Sequence, residues 1–308
     1  MRRIFNNSVL EADFREKGYV IVPFIEEEAI ASLTEDYFRT LDESGGRLGP
    51  ADEKFSSNQE ITYDFTFIDK NIAYKEKVFD LITAVFKSHT TTLLDNYKPI
   101  IANFIRKKTD GGEVPMHQNW AFVDEEKYTS VSIWCPLVDS NRENGTLEVV
   151  PGSHKRYGKT RGPMIKSELL EIEDDIIRDF MVPLEVKAGQ AVILDDSIVH
   201  YSSPNHTSGL RLAIQLIMIP EEVPSIHYHM DLSKDRKKVE VLLVDKDFYM
   251  AFNPWKKPSP DIPRQSQFEY EPFSMSISEF KKGLQGSGFD APAQDKKYKG
   301  ILHKLFKI

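Results

Sequence analysis

The sequence predicts a mainly β fold with flanking helices, a double-sheet jelly roll of cupin-like shape, and three observations lead there. Between about residues 99 and 220 short β-branched and aromatic runs recur, each closed by Gly, Pro, Asn or Asp. Helical periodicity is confined to the stretch before that region, one insertion within it and a short segment near the end. Seven or eight short strands in succession favour two packed sheets. The expected organisation is a single domain. Residues 1–98 form an N-terminal helical and strand region packing on the barrel, 99–220 the core with a helical insertion near 167–180, and 221–308 an extension wrapping the core. At 308 residues the chain is long for one unit, but β-rich domains routinely reach about 200 to 250 residues.

Taken in order, Ser8 and Glu11 have the spacing of a capping box, and Gly18 is a stop signal, so a helix is expected over Val9 to Lys17. Tyr19 to Phe24 is β-branched and aromatic, hence a strand. Ile30, Leu33, Tyr37, Phe38 and Leu41 recur at helical spacing before Gly45 and Gly46. Residues 47 to 64 are polar and without period, a surface loop. Helical periodicity returns from Ile72 to His89. The core strands are expected at Ile100–Arg106, Val114–Val123, Val131–Val138, Thr146–Val150, Val182–Val186, Ala191–Leu194 and Leu210–Ile219, with a helical insertion over Ser167–Phe180. Phe252 to Pro272, rich in proline and aromatics, is expected to be an ordered but irregular wrap. Ser276 and Glu279 cap a late helix, and the lysine-rich tail around Ile301 to Phe306 is a solvated helix face.

Composition excludes several classes. With 40% hydrophobic and 29% charged residues the chain is globular, and a net charge of −8 argues against a broad nucleic-acid surface. A single cysteine, Cys135, forms no internal disulfide and is expected to be a small buried hydrophobe. No secretory h-region follows Met1, and no apolar run approaches the roughly 18 residues of a membrane helix, so a cytoplasmic protein without membrane contact is expected.

The chemistry centres on Val114-Pro115-Met116-His117-Gln118-Asn119-Trp120. Residues two apart on a strand share a face, so His117 and Asn119 are expected to project into one pocket. His200, where an apolar strand leaves the core, supplies a second imidazole. Two imidazoles and a carboxylate on one face form the facial triad of non-haem Fe(II) oxygenases; here the carboxylate position reads Asn119. Arg211 opens the next apolar strand, and its planar fork matches the distal carboxylate of a 2-oxo dicarboxylic acid.

These stretches resemble the phytanoyl-CoA dioxygenase family of Fe(II)/2-oxoglutarate-dependent oxygenases. The resemblance is carried by Phe14 to Pro23, Met116 to Trp120, Trp134 to Leu137, Glu143 to Leu147, Val149 to Lys155, His200 and Arg211, over about residues 10 to 220. It implies a double-stranded β-helix that binds Fe(II), 2-oxoglutarate, O2 and a small-molecule substrate. The 2-oxo acid would be decarboxylated to succinate and CO2 while a small organic metabolite is hydroxylated. It also implies His117 and His200 as iron ligands, with Asn119 in the third catalytic and metal position where the family has aspartate. Arg211 becomes the 2-oxoglutarate clamp and Ser202 a second contact to the same carboxylate.

An amide oxygen can still coordinate a hard cation, but it is neutral, so iron affinity is expected to fall and Asn119→Asp to raise it. Two other readings follow from Asn119. One is a catalytically silent jelly-roll binding protein. The other is a halogenase, disfavoured because relatives that halogenate have a small residue there and Asn119 would partly fill the space. Asp124 and Glu125 are expected to face solvent. His154 in Pro151-Gly152-Ser153-His154 is expected to serve a turn. His227, Tyr228 and His229 with Asp231 are read as surface or substrate channel rather than a second metal site, and Trp120 and Trp134 as core or pocket wall.

Overall fold

Strand β10 (Arg211–Pro220) is the spine of the molecule, and every residue in it except Gln215 is buried. Such a run is what a strand covered on both faces requires. It pairs antiparallel with β3 (Tyr97–Lys107) on one side and β5 (Val131–Pro136) on the other. The sheet continues outward in the order β1-β8-β5-β10-β3-β2, with β1 at Tyr19–Pro23, β2 at Tyr63–Phe65 and β8 at Gln190–Asp195. A second sheet has the order β4-β9-β6-β7, from β4 (Val114–His117), β6 (Glu148–Val149), β7 (Val182–Pro183) and β9 (His200–Ser202). These two sheets are the expected jelly roll. The computed structural model describes residues 2–46, 63–231, 237–254 and 256–285.

Alternation along the strands divides the apolar side chains between two layers. Trp134, Val149, Val192, Leu194 and Ala213 fill the space between the sheets. Ile133, Cys135, Ile193 and Ile214 point the other way, into a cluster with Phe14, Leu33, Val78, Ile82 and Phe86. Those last residues belong to α1 (Ser8–Lys17), α2 (Glu27–Thr40) and α3 (Ile72–Leu93). Cys135 is fully buried there, as its composition suggests.

Several elements differ from expectation. Helix α1 is capped by Asn7, whose side chain accepts from the Val9 and Leu10 amides at 2.8 and 3.2 Å. Glu11 instead accepts from the Ile4 and Phe5 amides, which ties down the chain before the helix. The N-terminal region does more than pack on the barrel, because β1 adds to the large sheet in register Tyr19↔Leu194. The run expected as a strand over Val114–Val123 leaves the sheet at His117. Those expected at Thr146–Val150 and Val182–Val186 shorten to β6 and β7.

The insertion becomes a helical turn, Leu170–Ile172, and then α4 (Glu173–Phe180). The Glu173 carboxylate accepts from the Met116 amide at 3.1 Å and so anchors α4 to β4. Beyond Pro220, β11 (Ser225–Met230), β12 (Lys238–Val244) and β13 (Arg264–Glu269) form a third sheet, with α5 (Lys246–Met250) after β12. The irregular wrap expected over Phe252–Pro272 therefore contains a strand. Its Arg264 reaches back to Glu240 at 2.8 Å on the neighbouring strand, and such cross-strand pairs stabilise what composition alone disfavours. The capping box of Ser276 and Glu279 starts α6 (Ile277–Leu284), and Phe280 of that helix stacks on Tyr157. Most of the polar loop, residues 47 to 62, and the lysine-rich tail lie outside the described residues.

Gly18 ends α1 in the left-handed region at φ 82°, and a Cβ there would meet His154 Nδ1 at 2.5 Å. His154 Nε2 hydrogen-bonds the Arg15 carbonyl at 3.1 Å, so this histidine fastens the Pro151–His154 turn to the helix end. Gly18→Ala should therefore destabilise the fold by about 1–3 kcal/mol, from backbone strain plus displacement of His154. A shift in the urea midpoint at unchanged slope is the measurement.

Candidate active site

Strands β4 and β9 pair so that His117 and His200 stand directly opposite one another. Their ring centroids are 4.1 Å apart. His117 Nδ1 faces the Pro115 carbonyl at 2.8 Å and His200 Nδ1 the Ile198 carbonyl at 2.9 Å. A carbonyl only accepts, so each ring carries its proton on Nδ1 and keeps a lone pair on Nε2. Burial lowers the pKa of both rings, and His117 lowers that of His200 further. Two neutral imidazoles with Nδ1 tied to backbone are the usual state of metal-binding histidines.

Asn119 lies just past the end of β4, so it reaches the histidines through a turn and not through strand alternation. Gln118 fixes that turn by donating to the Ser197 carbonyl at 2.6 Å and the Tyr157 carbonyl at 3.0 Å. The Asn119 carbonyl accepts from Arg161 Nε at 2.6 Å. Arg161 in turn grips Glu125 with both outer nitrogens, at 2.9 and 2.5 Å. Glu125 is thus an internal anchor, contrary to the solvent-facing role expected of it, because a buried guanidinium requires a counter-charge.

The Asn119 amide nitrogen donates to Asp196 Oδ1 at 2.8 Å and to Ser132 Oγ at 3.1 Å. Ser132 Oγ donates to the same Asp196 oxygen at 2.6 Å. Burial pushes the Asp196 carboxyl up to about 7, opposed by the hydrogen bonds from Ser132 and Asn119. With the amide nitrogen committed, the oxygen is the Asn119 group left to act on the His117 ring, whose pKa the Asn119 side chain raises against the larger effect of burial. A ring lone pair and an amide oxygen facing each other are both acceptors, an arrangement that a cation satisfies. The residues present therefore fit a metal held by two nitrogens and one neutral oxygen. Since that oxygen is an amide's, the described residues contain no group of three or more His, Cys, Asp or Glu able to hold a metal.

Both histidines and Asn119 line a cavity of about 330 Å³ between the sheets, and Arg211 lines it too. Arg211 is fully buried, its guanidinium 5.7 Å from the Trp134 ring centre, and its Nε and Nη1 have no hydrogen-bond partner among the described residues. Burial lowers its pKa to about 9. Directly across the β3/β10 ladder stands a second buried cation, Lys107. Its ammonium donates to Ser202 O, Ser202 Oγ and Ser203 O at 3.0, 2.5 and 2.6 Å. Burial, with Arg211 beside it, pulls the Lys107 pKa down to about 6, yet three acceptors match the three N–H groups of the charged form. Ser202 also donates to the Gly145 carbonyl at 2.9 Å, so its hydroxyl proton is engaged.

The far wall is aromatic. Trp120 packs edge-on against Phe67, Phe252 and His227, with ring centroids 5.7, 5.2 and 5.6 Å apart. His227, expected at the surface or in a channel, is buried behind Trp120, and burial takes its pKa down to about 3. Sequence reasoning missed Lys107, Ser132, Arg161 and Asp196. The only sign was the adjacent pair Asp195-Asp196 at the end of an apolar strand, an unusual place for two acids.

This jelly roll is a fold shared with 2-oxoglutarate-dependent oxygenases. The chain resembles two solved non-haem, alpha-ketoglutarate-dependent enzymes of nogalamycin biosynthesis. The carbocyclase SnoK has a TM-score of 0.53 at 16% identity, with 72% of this chain and 86% of that one covered. The epimerase SnoN has a TM-score of 0.50 at 19% identity, with 71% and 85% covered. Residues 14–213 match the phytanoyl-CoA dioxygenase family model, and the chain belongs to that family of Fe(II)/2-oxoglutarate-dependent oxygenases. The phytanoyl-CoA dioxygenase domain-containing protein 1 homolog of Dictyostelium discoideum is 30% identical over 209 residues, 65% of this chain and 72% of the relative. Phytanoyl-CoA dioxygenase 1 of Oryza sativa subsp. japonica is 35% identical over 117 residues, 36% of this chain and 41% of the relative.

Replacing Lys107 with Met keeps the buried stem but strands three acceptors around Ser202 and Ser203. Stability should fall by about 2–4 kcal/mol, read as a lowered midpoint of chemical unfolding.

Proposed function

We propose that this protein is an Fe(II)/2-oxoglutarate-dependent dioxygenase that hydroxylates a small organic metabolite and converts the 2-oxo acid to succinate and CO2. The observation that carries this reading is Arg211, a buried guanidinium with two nitrogens unpartnered among the described residues, in the cavity that His117 and His200 also line. A desolvated cation of this kind calls for an anion, and its fork takes a carboxylate with two parallel hydrogen bonds.

In this reading His117, His200 and the amide oxygen of Asn119 hold Fe(II), and Arg211 holds the distal carboxylate of 2-oxoglutarate. Bound Fe(II) would supply activation of O2 coupled to decarboxylation of the 2-oxo acid. The Trp134 ring, its centre 5.7 Å from the guanidinium, offers it a cation–π contact. Ser202 can add a contact to the same carboxylate if its hydroxyl turns from Gly145. Beyond these groups the cavity presents Phe67, Ile101, Trp120, Phe122 and Ile217, which suits a substrate with a largely apolar body. The hydrogen-bonded amides of Asn103 and Gln215, 3.3 Å apart, are its neutral polar feature on the large sheet.

The neutral Asn119 favours one other reading, a binding protein that retains the pocket without turnover. Anaerobic titration with Fe(II) and 2-oxoglutarate separates them when followed by succinate release in air. The dioxygenase should develop the visible charge-transfer band of the chelate and then form succinate. Absence of both would overturn the proposal, and a band without succinate across a broad substrate panel would support the binding protein. Arg211→Ala should weaken 2-oxoglutarate by about 2–5 kcal/mol, and Arg211→Lys should recover only part, since it lacks the fork. Unchanged affinity in the Ala variant would remove Arg211 from its role.

A further inference from the structure

We infer that Asp196, with Ser132, is the positioning residue of this site, holding the Asn119 amide with its oxygen toward the histidines and setting a carboxylate one hydrogen bond behind the metal position. The inference rests on the proposed metal role of His117, Asn119 and His200. It goes beyond that role by assigning a function to a side chain that the three-residue set does not include.

Which way an amide points is decided by its neighbours. The Asn119 nitrogen has two acceptors within reach, Asp196 Oδ1 at 2.8 Å and Ser132 Oγ at 3.1 Å. The single hydroxyl proton of Ser132 goes to Asp196, at 2.6 Å, so Ser132 must receive from the amide. Reversing the amide would replace the N–H···O contact to Asp196 with two oxygens facing each other whenever that carboxyl is ionised. All three residues are buried, which leaves no water to relieve that contact. The main chain is held as well, because the Asn119 carbonyl is taken by Arg161 at 2.6 Å. Only the amide oxygen is left to face the cavity.

A simple Asn119→Asp exchange therefore forms the usual two-histidine, one-carboxylate set only at the cost of a conflict with Asp196. The new oxygen would stand where the amide nitrogen stood, against Asp196. Exchanging both residues resolves this. In Asn119→Asp/Asp196→Asn the same hydrogen bonds run in reverse, with residue 196 donating to residue 119 and Ser132 receiving from the one and donating to the other. The carboxylate then moves from behind the metal position to its edge.

Four proteins test this: wild type, Asp196→Asn, Asn119→Asp and the double variant. Co(II) is titrated anaerobically and its d–d absorption recorded, and thermal unfolding is measured on each protein without metal. Asp196→Asn keeps an acceptor for the amide but removes the charge, and should weaken Co(II) about tenfold or more, as loss of an outer partner typically does. Asn119→Asp should unfold several degrees below wild type. The double variant should regain most of that loss, bind Co(II) at least tenfold more tightly than Asn119→Asp, and show a changed d–d spectrum. Unaltered Co(II) affinity in Asp196→Asn, or an Asn119→Asp protein as stable as wild type and tighter for Co(II) than the double variant, would overturn the inference. His117→Ala is the control for the reading beneath it. If wild type binds no Co(II), or binds it equally after that change, the metal role fails, while the unfolding comparison still decides whether Asp196 orients the amide.

Discussion

The register between β4 and β9 is the constraint on which the site depends. Side chains alternate with a period of two, so slipping this pairing by one residue would turn one histidine away while the other stayed. Backbone hydrogen bonding alone does not choose between those registers. The choice is made from outside, by Glu173 on the Met116 amide, by Gln118 on the Ser197 carbonyl and by Ser153 Oγ on the Val199 amide at 2.9 Å. Each of these contacts joins segments far apart in sequence. The pair of histidines is in this sense a product of the whole fold, although its two members lie on short strands of the smaller sheet.

The large sheet was legible because its strands are long and nearly all apolar, and Leu212 to Ile219 can bury itself in few other ways. Helix α1 was legible from its end signals, Gly18 above all, and α2 and α3 from periodicity. His117, His200 and Arg211 could be picked out because strand ends are where functional side chains leave an apolar run. Other features were hidden for stated reasons. The end of β4 at His117 is imposed by Arg161 and Gln118, which are tertiary contacts, so local propensity carried the expected strand on to Val123. The cap at Asn7 won over Ser8 because Glu11 is drawn back to the Ile4 and Phe5 amides. Lys107 carried no sign of its role in the sequence and Asp196 only its place beside Asp195 at a strand end, and the fold alone brings Lys107 to the serine oxygens and Asp196 to Asn119 and Ser132.

The third sheet changes how the region after Pro220 is understood. Sequence cast it as an extension wrapping the core, and in the fold His227 of β11 and Phe252 after α5 pack against Trp120, one residue beyond Asn119. Tyr249 reinforces the contact, its hydroxyl donating to the Ile226 carbonyl at 3.0 Å. The cavity thus has one wall built from the jelly roll and another braced by later chain. A change in β11 or α5 would reach the substrate side of the pocket through Trp120 while leaving the histidine pair in place.

The paired cations of β3 and β10 have a further consequence. Lys107 and Arg211 are neighbours across a ladder, both buried, and the repulsion between them is part of what lowers the Lys107 pKa. Lys107 is quieted by serine oxygens, whereas two Arg211 nitrogens have no hydrogen-bond partner among the described residues and its guanidinium lies near the Trp134 ring. The folded chain therefore holds a tension that a dicarboxylate bound as proposed would relieve. Since a ligand bound only by the folded state raises stability by mass action, the abundance of such dianions in its surroundings would help set how stable the folded chain is. The co-substrate would then act as a structural component of the protein between turnovers, in addition to being consumed during them.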